Sequence, residues 1–163
     1  MAGFVDGEGC ITIAKQVRKN RPSPAYRAAI SIDNTYREVL DLFLRYYDGQ
    51  VYSHRELRKD KWNAKWADAY TWRCPIGTSE QFLVDLLPYL RVKKGQAEIC
   101  LDFLRNKADT KQFRRANGTI AGSEGLDAAE LERREAWHDA IRRLNSKGTY
   151  ARSFLPSEGA KDE

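Results

Sequence analysis

The sequence has few of the residues that build metal centres and disulfide frameworks. It contains three cysteines (Cys10, Cys74 and Cys100) and two histidines (His54 and His138), each distant from the others along the chain. An odd and sparse cysteine count argues against a disulfide framework and favours a reducing compartment. No cysteine pair lies near either histidine, so we expect no structural zinc site. The scarcity of histidine also excludes nucleases built on paired histidines.

Long hydrophobic segments are missing as well. No apolar run approaches the roughly 20 residues that a membrane-spanning helix needs, and no basic segment followed by an apolar stretch opens the chain. We therefore expect no membrane partner and no secretion signal. The expected location is intracellular, in a bacterial or archaeal cytoplasm or an organelle matrix. The Gly-x-Ser-x-Gly motif of serine hydrolases is absent too, which leaves Ser/His/Asp catalysis poorly supported.

Basic residues outnumber acidic ones, and they are unevenly spread. The 163 residues include 28 Lys and Arg against 23 Asp and Glu, a net charge of +5 that permits a polyanionic partner without requiring one. The segment 10–32 holds five basic residues and no acid, and a second basic segment spans 55–73. A chain of this length has room for one compact domain.

Both basic segments have the alternation of half-buried strands. Ile11, Ile13 and Val17 share one face of a first strand, and the apolar residues of 26–32 share one face of a second. Lys15 interrupts the first apolar face, which predicts a bulge or an early strand end. The segments 49–55 and 68–74 repeat the design around a polar linker at 58–65. Four strands with polar, mostly basic outer positions favour a nucleic-acid-binding surface over a merely solvated one.

Helical patterns separate and follow the strands. Thr35-x-x-Glu38 and Thr78-x-x-Gln81 are typical helix starts, Pro88 should end the second helix, and Asp127 should cap a last helix reaching about Leu144. A further helix is expected from about Lys93 to Leu104, a polar loop over 107–125 and a loose tail from Gly148. The residues predicted to face the core are Tyr36, Val39, Leu40, Phe43, Leu44, Tyr47, Phe82, Leu83, Leu86, Leu87, Ile99, Cys100, Phe103 and Leu104.

The first nine residues, Met-Ala-Gly-Phe-Val-Asp-Gly-Glu-Gly, read as a short helix that ends in glycine directly before the first strand. Gly3 and Gly7 are four positions apart, so one helix face lacks bulk and permits close approach of another helix. Phe4 and Val5 should face the core.

Two acids, Asp6 and Glu8, fall at the C-terminal end of this helix. They oppose the helix dipole there, and a local rule broken at a helix end hints at function. Carboxylates beside glycines, where backbone carbonyls are accessible, suit Mg²⁺.

This segment resembles the LAGLIDADG motif of the homing endonucleases. It differs at Met1, and Phe4-Val5, Gly7 and Glu8 replace the Leu-Ile, Ala and Asp of the motif's name. The predicted αββαββα order is similar to the family core over roughly 1–104. The motif occurs once, and single-motif members of the family are homodimers.

The resemblance implies an α+β, αββαββα fold with an antiparallel, saddle-shaped sheet and helices on one face. Residues 1–105 would form the core, with the motif helix at 1–9 and the DNA-binding sheet at 10–75, and residues 106–163 would form a loop, a C-terminal helix and a tail. The implied activity is that of an intron-type homing endonuclease: site-specific, divalent-metal-dependent cleavage of double-stranded DNA by a homodimer at a long pseudo-palindromic site. The chain begins inside the motif, so we expect the core and a partner subunit to hold this short helix unless the natural chain extends further.

The resemblance also assigns site residues. Glu8 would bind Mg²⁺, with Ca²⁺ or Mn²⁺ as substitutes, and the Gly7 carbonyl would add a ligand. Asn34 would order water and Lys93, or its neighbour Lys94, would stabilise phosphoryl charge. Asp6 is read as a structural or capping residue and is also placed at the dimer interface. The predicted interface is Ala2, Gly3, Asp6 and Gly7, and the predicted DNA-binding residues are Gln16, Arg18, Arg27, Ser31, Tyr52, His54, Thr71 and Arg73.

Three alternatives remain open. The first is a non-cleaving nucleic-acid-binding protein of the same fold, such as an RNA maturase. The second is a restriction-type nuclease that uses Asp102 with Asp109-Thr-Lys111, although these residues fall on a helix and a loop rather than on a strand. The third is a structural interaction domain, against which the basic strands count.

Overall fold

The computed structural model describes residues 1–19, 21–57, 67–108, 112–114, 120–123 and 125–146. Strands and helices alternate through the first half of the chain, and helices dominate the second. The elements are α1 (Ala2–Glu8), β1 (Gly9–Gln16), β2 (Ala25–Asn34), α2 (Arg37–Tyr47), β3 (Gln50–Ser53), α3 (His54–Leu57), β4 (Tyr70–Arg73), α4 (Ser79–Leu86), α5 (Lys94–Asn106), β5 (Gln112–Arg114), β6 (Ile120–Ser123) and α6 (Ala128–Asn145).

The first four strands form one antiparallel sheet in the order β1-β2-β4-β3. Gly9 of β1 lies opposite Ile32 of β2, and Ser31 lies opposite Arg73 of β4. The two predicted strand pairs are therefore joined side by side through β2 and β4. The α+β class and the antiparallel sheet implied by the resemblance are confirmed.

One face of the sheet is buried. Ile11, Ile13, Ile32 and Trp72 are each 0% exposed, because the alternation of the strands directs them all to the same side. Phe43 of α2 packs with its ring centroid 5.4 Å from that of Trp72. The helices that contribute buried residues to this core are α1, α2, α4, α5 and α6. The opposite surface of the sheet, the outer face, carries Cys10, Thr12, Ala14, Gln16, Ala25, Arg27, Ala29, Ser31, Asp33, Gln50, Tyr52, Thr71 and Arg73.

The last helix, α6, seals the free edge of β1. His138 Nδ1 donates to the Ile13 carbonyl at 2.7 Å, and Asn145 Nδ2 donates to the Ile11 carbonyl at 3.0 Å. Lys15 forms an ion pair with Glu135 of the same helix. No bulge forms at Lys15, because the inward lysine has an acidic partner. The early strand end is confirmed: β1 stops at Gln16, and Val17, which was predicted to share the apolar face, is 75% exposed.

The start of α2 also differs from the expected one. The helix begins at Arg37 and no side chain caps it, so the Thr35-x-x-Glu38 capping box is not formed. The backbone N–H of Tyr36 donates to Asn34 Oδ1 at 2.8 Å. Tyr36 is 71% exposed rather than in the core, and so is Phe4 of α1 at 43%, whereas Val5 is fully buried as predicted. Tyr36 precedes the first helical residue, and Phe4 lies on the side of α1 that faces away from the core.

Two predicted segments differ from the structure, and two predicted helix boundaries agree with it. The predicted strand 49–55 stops at Ser53 and turns into α3 at His54. The predicted loop 107–125 contains an antiparallel pair, β5 with β6. The helix ending before Pro88 and the Asp127 cap are confirmed, with Asp127 Oδ1 accepting from the Glu130 N–H at 2.7 Å.

The polar linker at 58–65 and the tail from Gly148 lie outside the described residues, as does most of the Asp109–Lys111 alternative. Asp102 of that alternative accepts hydrogen bonds from Asn106 and from the Trp137 indole. None of the helices within the described ranges has both the length and the apolar character needed to cross a membrane.

Candidate functional site

The turn from α1 into β1 requires glycine. A Cβ added at Gly9 would lie 2.6 Å from the Val5 carbonyl oxygen, closer than real Cβ atoms approach. The Gly9 N–H also caps the helix by donating to that oxygen. Val5 anchors the helix in the core, and the abrupt turn leaves Glu8 exposed where α1 meets the sheet.

Asp6 ties the end of α1 to the segment that enters α5. Its carboxylate accepts hydrogen bonds from the backbone N–H groups of Arg91 at 2.8 Å, Val92 at 3.1 Å and Lys93 at 2.9 Å. These donors stand immediately before α5, where backbone N–H groups lack helical partners. Asp6 therefore acts as a capping residue within its own chain.

Lys93 returns the contact. Its Nζ donates to the Asp6 carbonyl, and the side chain is half-buried, whereas Lys94 is exposed. Burial lowers the pKa of Lys93, and the nearby Asp6, Cys10 and Glu8 oppose that shift. Of the two neighbouring lysines, Lys93 is the one held at the end of α1.

The Glu8 carboxylate, at the end of α1 beside Asp6 and Lys93, is not engaged by other side chains that the structure describes. No hydrogen bond or ion pair joins its side chain to another of the described residues, and Gly7 beside it is exposed with open space around the position of a Cβ. No group of three or more His, Cys, Asp and Glu in the described ranges has the spacing of a metal site. One carboxylate with adjacent backbone carbonyls suits Mg²⁺, which commonly keeps several waters and shares its remaining positions with a substrate phosphate. The donors present therefore fit a magnesium site that other groups complete.

Asn34 ends β2 near the same place. Its Oδ1 is occupied by the Tyr36 N–H, while its Nδ2 bonds to no described residue and is available to water. Because Gly9 pairs with Ile32, Asn34 lies just beyond the level at which α1 joins the sheet.

The predicted DNA-binding residues gather on or beside the outer face. The Arg73 guanidinium lies 4.8 Å from the centroid of the Tyr52 ring, and Arg18 Nη2 donates to Gln16 Oε1 at 2.8 Å. His54 begins α3, with Nε2 2.7 Å from Thr71 Oγ1. An open groove of about 400 Å³ runs across this face and is lined in part by Arg27, Ser31, Tyr52 and Arg73.

Asp33, also on the outer face, was not predicted as a functional residue. Its Oδ1 accepts from Thr71 Oγ1 and lies 3.4 Å from His54 Nε2. The strand alternation already places Asp33 beside Ser31 and Arg27. A search for basic and amide side chains passes over it because it is an acid.

The exposed side of α1 is small and apolar. Met1 and Phe4 are 38% and 43% exposed, and a Cβ built at Gly3 or Gly7 would meet no described atom within 4 Å beyond its chain neighbours and the backbone of α1. Ala2 is half-buried against the core, and Asp6 is engaged with the start of α5. The described chain thus leaves a shallow apolar surface at Met1, Gly3, Phe4 and Gly7.

Comparison by sequence finds no matching family model and no curated protein of sufficient similarity. Comparison by structure does find similar proteins. The homing endonuclease I-CvuI is 18% identical, with a TM-score of 0.60, over 99% of this chain and 82% of its own. The archaeal intron-encoded homing endonuclease I-Vdi141I is 16% identical, with a TM-score of 0.61, over 90% of this chain and 82% of its own.

Both proteins were solved in complex with DNA. The likeness extends over most of each chain and includes the short first helix, the four-stranded antiparallel sheet and the helices on its buried face. The fold implied by the resemblance of residues 1–9 to the LAGLIDADG motif is thereby confirmed. This chain has the fold of the LAGLIDADG homing endonucleases.

Proposed function

We propose that this protein is a site-specific, divalent-metal-dependent endonuclease of double-stranded DNA. The observation that carries the proposal is that the Lys93 ammonium bonds to the Asp6 carbonyl at the end of α1, within electrostatic reach of the exposed Glu8 carboxylate and beside the basic outer face. An unpaired carboxylate and a half-buried lysine are the groups that hydrolysis of a phosphodiester needs beside a nucleic-acid surface. Solved neighbours of the same fold carry DNA, which supports the substrate class.

Each residue of the proposed site would have a separate role in cleavage. Glu8 and the Gly7 carbonyl would hold the metal, Lys93 would stabilise negative charge on the phosphoryl group, and Asn34 would order water. A bound Mg²⁺ would supply charge stabilisation at the scissile phosphate and a lowered pKa of water. I-CvuI was crystallised with its target in the presence of Ca and with the I-CreI target, uncleaved, in the presence of Mg.

The outer face would lie in the major groove of the duplex. Arginine recognises the acceptors of guanine and glutamine those of adenine, so Arg27, Arg73 and Gln16 are the proposed base readers. Arg18 and the other polar residues of the face would contribute base or phosphate contacts.

The active assembly would be a homodimer. The exposed side of α1, with Gly3 and Gly7 leaving its backbone accessible, is the proposed contact between two chains. A two-fold axis there would bring both copies of Glu8 toward one seam. The same symmetry predicts a long pseudo-palindromic target.

The test is a cleavage-site selection from a random duplex library with Mg²⁺. We expect enrichment of cleaved, two-fold-related sequences, and no cleavage when a chelator removes the metal. The matched control is Glu8→Gln, which should bind the selected duplex and leave it intact. Full cleavage by Glu8→Gln would refute the metal role. Binding of structured RNA with no cleavage of any duplex would favour the maturase-like alternative, in which no catalytic carboxylate is needed.

A further inference from the structure

Asp33 is the one acidic side chain on the outer face within the described strands. Its side chain is 53% exposed, although a carboxylate on a surface that approaches DNA phosphates is repelled by them. Because this repulsion weakens nonspecific binding of DNA, we expect Asp33 to make a favourable contact with some other group of the duplex. The neighbouring side chains and the register of the sheet indicate what that contact is.

Two neighbours hold the Asp33 carboxylate in place. His54 Nε2 lies 2.7 Å from Thr71 Oγ1, and the Thr71 hydroxyl in turn donates to Asp33 Oδ1. With the proton on Nε2, His54 donates to Thr71, and the hydroxyl is left free to donate to the acid. Thr71 is 7% exposed and cannot move away easily. The carboxylate is therefore fixed through Oδ1, while Oδ2 has no hydrogen bond to any described residue.

The register places Asp33 near the proposed cleavage site. Gly9, the residue that follows Glu8, pairs with Ile32, and Asp33 is the next residue of β2. Burial and the charge of Asp33 raise the pKa of Cys10, and Lys93 opposes this, which puts all three groups in one neighbourhood. Gln16, at the other end of β1, lies roughly 23 Å from Gly9 at about 3.3 Å per residue. That length corresponds to about seven base pairs at 3.4 Å each.

We infer that Asp33 is a specificity-determining residue that accepts a hydrogen bond from the exocyclic amino group of a base, cytosine first and adenine second, at the innermost position read in each half-site. The inference rests on the proposed binding of DNA by the outer face. In the major groove, cytosine and adenine present an amino donor, whereas guanine and thymine present acceptors that a carboxylate repels. A preordered acceptor discriminates between these edges because the wrong base leaves two acceptors face to face.

The test is selection of binding sites from a random duplex library by wild type, Asp33→Asn and Gln16→Ala. Wild type should prefer cytosine or adenine over guanine and thymine at one inner position, on the order of ten-fold. Asp33→Asn keeps the size of the side chain and an acceptor for Thr71, and it should relax the preference at that position alone. Gln16→Ala should relax only a position about seven base pairs further out.

Retained enrichment by each variant shows that it is folded. An unchanged inner preference in Asp33→Asn, or a wild-type preference there for guanine or thymine, would overturn the inference while leaving the endonuclease proposal intact. Failure of the wild type to enrich any duplex would instead overturn the proposed function. Asp33→Ser, which is smaller and lacks the charge, should repeat the relaxed preference. A preference in Asp33→Ser equal to that of wild type would count against the inference as well.

Discussion

Asp6 and Lys93 stand 87 positions apart in the chain and yet bond to each other twice. The Asp6 carboxylate accepts the Lys93 N–H, and the Lys93 ammonium donates to the Asp6 carbonyl. Sequence alone left Lys93 and Lys94 equivalent, because adjacent residues of one type have the same local pattern. Only the tertiary contact separates them. Glu8 and Asp6 were distinguishable in advance only through their resemblance to a known motif.

Lys93→Ala should slow cleavage more than it weakens binding. Removing a group that stabilises phosphoryl charge costs about a hundredfold in rate, since the charge develops only in the transition state. Single-turnover cleavage and equilibrium binding on the same duplex separate the two effects. Lys94→Ala is the matched control, because Lys94 is exposed and should leave the rate nearly unchanged. A larger loss of binding than of rate would make Lys93 a phosphate anchor instead.

At the scale of elements, most helices and strands follow from periodicity. Apart from α3 and the β5–β6 pair, which were not predicted, the errors lie at the ends of elements. The buried stripe of α2 was predictable from Leu40 and Phe43, but its first turn was not, because the helix begins at Arg37 without the side-chain cap that Thr35 was expected to supply. Likewise, no pattern in the sequence indicates that α6 supplies donors to the carbonyls of β1. Such contacts join residues more than a hundred positions apart, and local propensity carries no information about them.

The junction of α1 and β1 gives a stability prediction. Gly9→Ala should destabilise the protein by about 2 kcal/mol, because the new methyl group forces the Val5 backbone to shift. Gly77→Ala is the control, since nothing lies within 4 Å of a Cβ at Gly77. Its effect should stay within about 0.5 kcal/mol. Urea unfolding of both variants measures the difference, and equal stabilities would contradict the close contact at Gly9.

The junction of α5 and α6 gives a prediction about pH. Glu130 is 2% exposed and accepts from Arg134 Nε at 2.6 Å and from the Ala108 N–H at 3.0 Å. Burial raises the pKa of Glu130, but these hydrogen bonds, together with the charges of Arg134 and Arg133, outweigh it and leave the pKa below its ordinary value of 4.5. A lowered pKa in the folded state means that the carboxylate stabilises the protein above that range and ceases to do so as the pH falls through the folded-state pKa.

Glu130→Gln should therefore be less stable than wild type at neutral pH, by about 3 kcal/mol, because Arg134 is left without a charged partner in a buried position. The deficit should shrink as the pH is lowered through the depressed folded-state pKa of Glu130, because wild type then loses the charge as well. Urea unfolding of both proteins across this range measures it. A deficit that is independent of pH would show that the ion pair does not contribute as described.

At the scale of the whole molecule, the proposed dimer depends on the exposed side of α1. Gly3→Leu should yield folded, inactive monomers, because a leucine meets open space within one chain but would separate two packed helices. Sedimentation with circular dichroism tests both parts. Gly77→Leu, also in open space but away from α1, should leave the sedimentation profile unchanged. A Gly3→Leu protein that sediments like wild type would contradict the contact.

The cover that α6 places on β1 sets how two copies can relate. With the Ile11 and Ile13 carbonyls already bonded by Asn145 and His138, the sheets of a pair cannot merge through this edge into one continuous ribbon. Each subunit would then bind its own half-site of the duplex through its own sheet. The distance between the two half-sites would then be set only by the contact between the two α1 helices. Altering that contact would change the spacing of the half-sites without changing the bases that either subunit recognises.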